Sequence, residues 1–206
     1  MPLVLLALAT PILVLTLIFA RAGHLNWLLE VAPALLGTIA LAATFRRMRL
    51  SDFCYVAVFL HTLVLVYGAY YTYAETPLGN WAKETFHLSR NRYDRVGHVA
   101  LGFFPVCIIK EVLLRATPLR RGGWLTFIVL SVVLAIAAAY ELIEWGSTYV
   151  FAGDVGQAFL GSQGDPWDAQ WDILLDLVEG AIGLVVLAPL HDRSLTLTRA
   201  RAVDGR

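Results

Sequence analysis

The chain has little charge for its length. Only 16% of its 206 residues are charged, whereas a soluble domain usually carries about 25%. Hydrophobic residues make up 58% of the chain and the mean hydropathy is +0.66, so the excess apolar surface needs lipid as its solvent. A basic stripe interleaved with stacking aromatic residues is also absent, which excludes nucleic acid as a partner.

Cysteine is scarce and specific metal motifs are missing. The two cysteines, Cys54 and Cys107, both fall in apolar stretches, which is typical of small buried hydrophobic residues rather than a disulfide framework. Neither HExxH nor paired CxxC occurs. No Lys or Arg precedes the first apolar run, which exceeds the usual signal-peptide core of about 7–15 residues. That run is therefore predicted to be an uncleaved transmembrane helix.

Six apolar stretches are long enough to cross a bilayer, which takes about 17–25 residues. They are residues 3–20, 27–45, 53–74, 96–114, 124–145 and 172–190. The sequence shows no internal repeat and no long linker. It therefore predicts an all-α, polytopic membrane helical bundle with about six transmembrane helices in a single domain, residues 1–190. Residues 191–206 are predicted to form a flexible, basic cytoplasmic tail.

The distribution of Lys and Arg predicts the orientation of these spans. With both termini in the cytoplasm, the inner segments carry ten basic residues and the outer loops carry five. The outer loop at residues 146–171 contains no basic residue. Because Lys and Arg favour the cytoplasmic side, both termini are predicted to be cytoplasmic.

Three polar stretches approach the outer face in this topology. The first, YDRVGH, opens the fourth span, with Asp94 at an expected N-cap and His98 one turn deeper on the same face. The second, YELIEW, closes the fifth span and carries Glu141 and Glu144 on one face. The dipole of a helix disfavours carboxylates at its C-terminus, so these two acids need compensation from protons or cations.

The third stretch, GSQGDPWDAQWD, leads into the sixth span. If a helix begins near Pro166, Asp165 is its predicted N-cap. The acids that follow are spaced four, four and three residues apart and would line one stripe of the helix. These are Asp168, Asp172, Asp176 and Glu179.

Up to eight carboxylates thus face His98 and two nearby arginines, Arg92 and Arg95. Like charges within a few ångströms cannot all remain ionised. Either some acids stay protonated, which suits a proton relay, or a divalent cation binds, and a His with several carboxylates suits Zn, Mn or Fe. The predicted metal ligands are His98, Glu141, Glu144, Asp172 and Asp176.

Three functions remain open at this point. The first is metal- or acid–base-assisted processing of an amphipathic, lipid-like envelope substrate, with His98, Glu144 and Asp172 as catalytic residues. The second is a small cation or proton transporter subunit, for which an oligomer would compensate for the few spans. The third is a membrane interaction protein whose polar cluster locks its helices together. The predicted supporting residues are Asp94, Arg95, Glu141, Asp165, Asp168, Gln170 and Asp176.

The three polar stretches resemble those of the YjdF family of uncharacterised bacterial inner-membrane proteins. The resemblance spans about residues 50–190 and includes Gly102, Asp176 and Gly180. More distantly, the order of Asp94, Arg95 and His98, with the later acids, is similar to the VanZ-like membrane proteins. The resemblance implies a multi-pass protein of the bacterial inner membrane, and it supplies no reaction.

Overall fold

The computed structural model describes residues 1–151 and 154–204, and helices are the only regular structure in those residues. The all-α prediction is confirmed for this part of the chain. In chain order the helices are α1 (Pro2–Ile18), α2 (His24–Thr44), α3 (Asp52–Tyr71), α4 (Pro77–Thr85), α5 (Tyr93–Phe103), α6 (Pro105–Ala116), α7 (Gly123–Val150), α8 (Asp154–Leu160), α9 (Asp168–Val186) and α10 (Ala188–Asp204).

Three of these helices are long and apolar enough to cross a membrane. They are α2, α3 and α7. A fourth crossing is formed if α9 and the first part of α10 are counted together, although the two helices meet at a bend of 59°. Helix α1 is apolar but has only 17 residues. The described residues therefore contain three to four candidate spans, within a bundle that also contains shorter helices.

The fourth predicted span is broken into two short helices. Helix α5 ends at Phe103 and α6 begins at Pro105. Proline has no backbone N–H and cannot donate the hydrogen bond that would continue the α5 ladder. The two halves have 11 and 12 residues, so each is too short to cross a bilayer alone, which takes about 17 residues or more.

Helix α7 is longer than the sequence predicted. It continues to Val150, whereas the fifth span was expected to close at residue 145. Glu141 and Glu144 therefore lie inside the helix, more than one turn before its end, so the predicted conflict with the negative end of the helix does not arise.

The segment predicted as a flexible tail begins with a packed helix. Helix α10 runs from Ala188 to Asp204, and its His191 and Leu195 are 0% and 1% exposed. The Oγ atom of Ser194 accepts a hydrogen bond from the N–H of Phe53 at 3.1 Å. The packed bundle thus extends past residue 191 because α10 inserts apolar and polar side chains against α3.

Helices α5 and α9 run parallel in direct backbone contact. A Cβ atom at Gly102 would lie 2.3 Å from the carbonyl oxygen of Asp176, and one at Gly183 would lie 2.7 Å from that of Phe103. Only glycine permits so close an approach at these two positions. The contact aligns the start of α5 with the start of α9, which is where the polar stretches lie.

Candidate functional site

Two arginines hold the acidic loop before α9 against the start of α5. Nη2 of Arg90 donates to Asp165 Oδ2 at 3.2 Å and also to Asp168. Nη2 of Arg95 donates to Asp168 Oδ1 at 2.6 Å, and Nη1 of Arg95 forms an ion pair with Asp172. These charge-assisted contacts hold the third polar stretch against the first.

Arg90 is a site residue that the sequence reasoning did not select. Burial works against its charge, but the hydrogen bond to Asp168 and the nearby Asp94 and Asp165 raise its pKa. The side chain of Arg90 is 9% exposed, whereas Arg92, which was expected to face the acids, is exposed. Nothing in the local sequence distinguishes the two arginines, because the loop before α5 has no regular period.

His98 is oriented by one carboxylate and faces two others. Its Nδ1 lies 3.0 Å from Asp176 Oδ2. Its Nε2 lies 3.4 Å from Glu141 Oε1 and 3.8 Å from Asp172 Oδ1. All four side chains are buried, and Asp176 is 0% exposed. Three helices, α5, α7 and α9, therefore supply one compact group. We call the His98 site this group together with Arg90, Arg95 and the carboxylates that these two arginines contact, Asp94, Asp165 and Asp168.

Negative charge exceeds positive charge in the His98 site. No hydrogen bond reaches Glu141 Oε1, Asp172 Oδ1 or Asp176 Oδ1 within the described residues, although His98 and Arg95 are close to the first two. Buried carboxylate oxygens of this kind require protons or cations. The described members are six carboxylates, Asp94, Glu141, Asp165, Asp168, Asp172 and Asp176, and three bases, Arg90, Arg95 and His98.

A small cavity adjoins His98 and Asp172. Its volume is about 40 Å³, and Glu144 and Glu30 also line it. A cavity of this size holds only a few heavy atoms, such as an ion with a water molecule. Glu30 was not selected from the sequence, and its Oε1 accepts hydrogen bonds from Asn26 at 2.8 Å and Thr72 at 3.3 Å.

A larger groove lies between α7 and α9 on the other side of Glu141. Its volume is about 520 Å³, within the range of about 300–1,000 Å³ that small-molecule sites occupy. Its lining includes apolar side chains such as Leu142 and Ile173 and the acids Glu141, Asp165 and Asp168. Glu141 therefore belongs both to the His98 site and to an amphipathic groove.

Ligand atoms suited to a metal ion converge at this site. One atom each from His98, Glu141 and Asp172 lie within 4.8 Å of one another. A second set, Asp94, Asp168 and Asp172, meets the same criterion. The arginines contact Asp168 directly, so the set containing His98 is the less compensated of the two.

Several predicted positions lie differently from expectation. The N-cap of α9 is Trp167, and Asp165 instead accepts a hydrogen bond from the Trp167 N–H at 3.0 Å. Asp94 is inside the first turn of α5, after the N-cap Arg92. Gln170 is exposed on the opposite face of α9 from the buried acids, and Glu179 is only partly buried. The residues of the stripe that the bundle buries are Asp168, Asp172 and Asp176.

Comparison with known proteins confirms the resemblance seen in the sequence. The family described as predicted membrane protein (DUF2238) matches residues 1–193. The chain is 40% identical over 195 residues to the inner membrane protein YjdF of Escherichia coli (strain K12), which covers 92% of this chain and 93% of that protein. No solved structure matches the chain. This protein, a membrane protein of the bacterial inner membrane, therefore belongs to the DUF2238 family.

Proposed function

We propose that this protein binds a divalent cation at the His98 site and uses it to process the polar head of an amphipathic envelope substrate. In the same proposal the chain crosses the membrane about six times with both termini in the cytoplasm. The excess of Lys and Arg in the inner segments supports that orientation. The His98 site then lies near the periplasmic face.

The orientation of His98 supports cation binding. Metal-binding histidines commonly place their second nitrogen on a carboxylate, which fixes the ring. Asp176 is the carboxylate at Nδ1 of His98, and Nε2 of His98 faces Glu141 and Asp172. Three protein ligands with a fourth position left open are typical of catalytic zinc sites, and Mn²⁺ also accepts carboxylates.

Glu144 supports a hydrolytic or transfer reaction. It lines the small cavity beside His98 and Asp172, one turn along α7 from Glu141. A bound divalent cation lowers the pKa of its water ligand, and a carboxylate within reach of that water can exchange its proton with the leaving group. Glu144 is therefore the proposed general acid–base, with His98 and Asp172 as ligands.

The observation that carries the proposal is that Glu141 belongs to both the His98 site and the groove. The same side chain lies 3.4 Å from His98 Nε2 and lines the groove between α7 and α9. A substrate whose apolar part lies along Leu142 and Ile173 would place its head next to the proposed cation. This arrangement suits an amphipathic molecule that enters from the lipid.

Metal content tests the cation. Purified full-length protein would be analysed for transition metals beside His98→Ala, Glu141→Gln and the exposed-residue control Gln170→Ala. His98→Ala and Glu141→Gln are each expected to hold one ion fewer per chain than the wild type, and the control is expected to match the wild type. Equal metal content in all four proteins would contradict the proposal.

A second measurement tests the reaction. Envelope lipids of cells that produce Glu144→Gln would be compared by mass spectrometry with those of cells that produce the wild type. A lipid class that accumulates only with the variant is the expected substrate. Identical lipid profiles, at equal protein levels, would remove the catalytic part of the proposal.

Cation or proton transport is the second candidate. It is favoured by the cavity that joins Asp94 and Asp172 to Glu30 and Glu144. Proton or cation flux in proteoliposomes that disappears in Asp176→Asn would favour transport over catalysis.

A further inference from the structure

A second group of polar side chains lies at the opposite end of the bundle. Cys54 is at the start of α3, Glu111 in the middle of α6 and His191 at the start of α10, and all three are 0% exposed. We call them the His191 cluster. The break between α5 and α6 lies between His98 and Glu111, and the two groups share no residue.

The three ligand atoms of this cluster converge on one point. His191 Nε2 lies 3.1 Å from Glu111 Oε2 and 3.7 Å from Cys54 Sγ, and Cys54 Sγ lies 3.3 Å from the same oxygen. A tetrahedral zinc ion with bonds of about 2.0–2.3 Å to N, O and S separates its ligands by about 3.4–3.6 Å. Two of the three distances in the protein are slightly shorter than that range, and the third is slightly longer.

The geometry differs from that of a catalytic triad. In a triad, the nucleophile and the orienting carboxylate contact different nitrogens of the histidine. Here Cys54 and Glu111 both contact Nε2, and no hydrogen bond reaches His191 Nδ1 within the described residues. A shared nitrogen is the arrangement that coordination of one ion produces.

The surroundings of Glu111 leave one of its oxygens for a ligand. Its Oε1 accepts hydrogen bonds from Arg115 at 2.7 Å and from the Ser51 N–H at 2.9 Å. These donors fix the carboxylate, while Oε2 is directed at Cys54 and His191. This support resembles the outer contacts that orient metal ligands.

We propose that Cys54, Glu111 and His191 form a zinc site that fastens α10 to α3 and α6. Binding requires the Cys54 thiolate, so the thiol proton that now points toward Glu111 leaves to solvent, and two anionic ligands balance the charge of Zn²⁺. Thiolate with imidazole and carboxylate suits Zn²⁺ better than Mg²⁺ or Ca²⁺. A water molecule takes the fourth position.

Neighbouring contacts link this site to the docking of α10. Lys110 donates to Asp192 Oδ1 at 3.0 Å, and Ser194 Oγ accepts from the Phe53 N–H. Asp192 and Ser194 both follow His191 within the first turns of α10. Zinc at the cluster would therefore hold the helix after the 59° bend in its place.

Cobalt substitution tests the site without altering a proposed ligand. The chain has two cysteines, so in Cys107→Ser the only thiol is Cys54. Full-length Cys107→Ser protein, equilibrated with Co²⁺ in detergent, is expected to show thiolate-to-cobalt charge-transfer absorption at one ion per chain. Addition of Zn²⁺ should abolish the absorption. Absence of this band would overturn the proposal.

Ligand variants separate this site from the His98 site. Cys54→Ser and His191→Gln, each in the Cys107→Ser protein, are expected to lose the band or weaken Co²⁺ affinity at least tenfold. His98→Ala in the same background should keep it, whether or not the His98 site binds a cation. A band of unchanged Co²⁺ affinity in His191→Gln would show that the Cys54 thiolate binds cobalt without His191 and would overturn the proposal. Circular dichroism would confirm that each variant keeps its helix content.

Discussion

The His98 site and the His191 cluster both contain a buried histidine beside carboxylates, but their charge balance differs. In the first, six carboxylates surround three bases within the described residues. In the second, the single carboxylate of Glu111 is met by Arg115 and the Ser51 N–H. The surplus of acid lies next to an open groove, and the balanced cluster lies in closed packing. This contrast favours chemistry at one end and structural support at the other.

The largest expected difference in stability is between an arginine variant of the His98 site and an arginine variant beside the His191 cluster. Removal of one partner from a buried ion pair costs about 3–5 kcal/mol, and Arg95→Ala leaves both Asp168 and Asp172 with fewer cations. Arg115→Ala leaves Glu111 bonded to Ser51 and should cost about 1–3 kcal/mol. Denaturant titration in one detergent would give the free energies of unfolding. Equal losses of unfolding free energy in Arg95→Ala and Arg115→Ala would contradict the difference in charge balance between the two sites.

Exposed Arg92 provides the matched control for this experiment. Substitutions on an exposed surface usually change stability by about 0.5 kcal/mol or less, and Arg92 is exposed although it is two residues from Arg90. Arg92→Ala should therefore unfold at the wild-type denaturant concentration. A large loss in Arg92→Ala would mean that the loop before α5 packs differently.

Gly102→Ala should disturb the His98 end through packing. Its Cβ would lie 2.3 Å from the Asp176 carbonyl oxygen, and backbone cannot yield as a side chain can. Overpacking of this kind costs about 1–3 kcal/mol. The control is Gly37→Ala in α2, where no atom lies within 4 Å of the added methyl group. Unfolding titration of the pair should show destabilisation only in Gly102→Ala.

Asp176→Asn should weaken metal binding at the His98 site and leave metal binding at the His191 cluster unchanged. Loss of an orienting contact typically lowers metal affinity by about 10–100-fold, and Asp176 holds His98 Nδ1 at 3.0 Å. Chelator competition would show that loss at the His98 site and unchanged affinity at the His191 cluster. Equal affinities of wild type and variant at both sites would contradict the orienting role.

The smallest effect is expected at Gln170. The sequence grouped this residue with the supporting residues, but its side chain is exposed on α9. Gln170→Ala should change stability by no more than about 0.5 kcal/mol and leave metal content unchanged. Reduced metal content in this variant would extend the site beyond the buried face of α9.

Much of the His98 site could be predicted because its residues follow helical spacing. Asp168, Asp172 and Asp176 recur every four residues, so one face of any helix there must carry all three. Asp94, Arg95 and His98 occur in one short string. Gln170 lies two residues from Asp172, and the same helical spacing places it on a different face from the three buried acids.

Arg90, Glu30 and the His191 cluster could not be predicted in this way. Arg90 lies in an irregular loop, and Glu30 is an isolated acid in an apolar helix. Along the chain, 57 residues separate Cys54 from Glu111 and 80 separate Glu111 from His191. Each residue alone is typical of a packing residue or of a solvated helix end. The prediction that Cys54 is a buried thiol outside any disulfide is confirmed, and its proximity to Glu111 and His191 is visible only in the tertiary structure.

By itself, the sequence determined that this chain is a helical membrane protein with acids gathered near one end of its helices, because hydropathy and helical period act locally. Only the tertiary structure decided which acids meet His98, which arginine compensates them, and that α10 returns to α3 and α6. Those choices depend on how glycine contacts and bends bring distant helices together, and no local pattern encodes such distances.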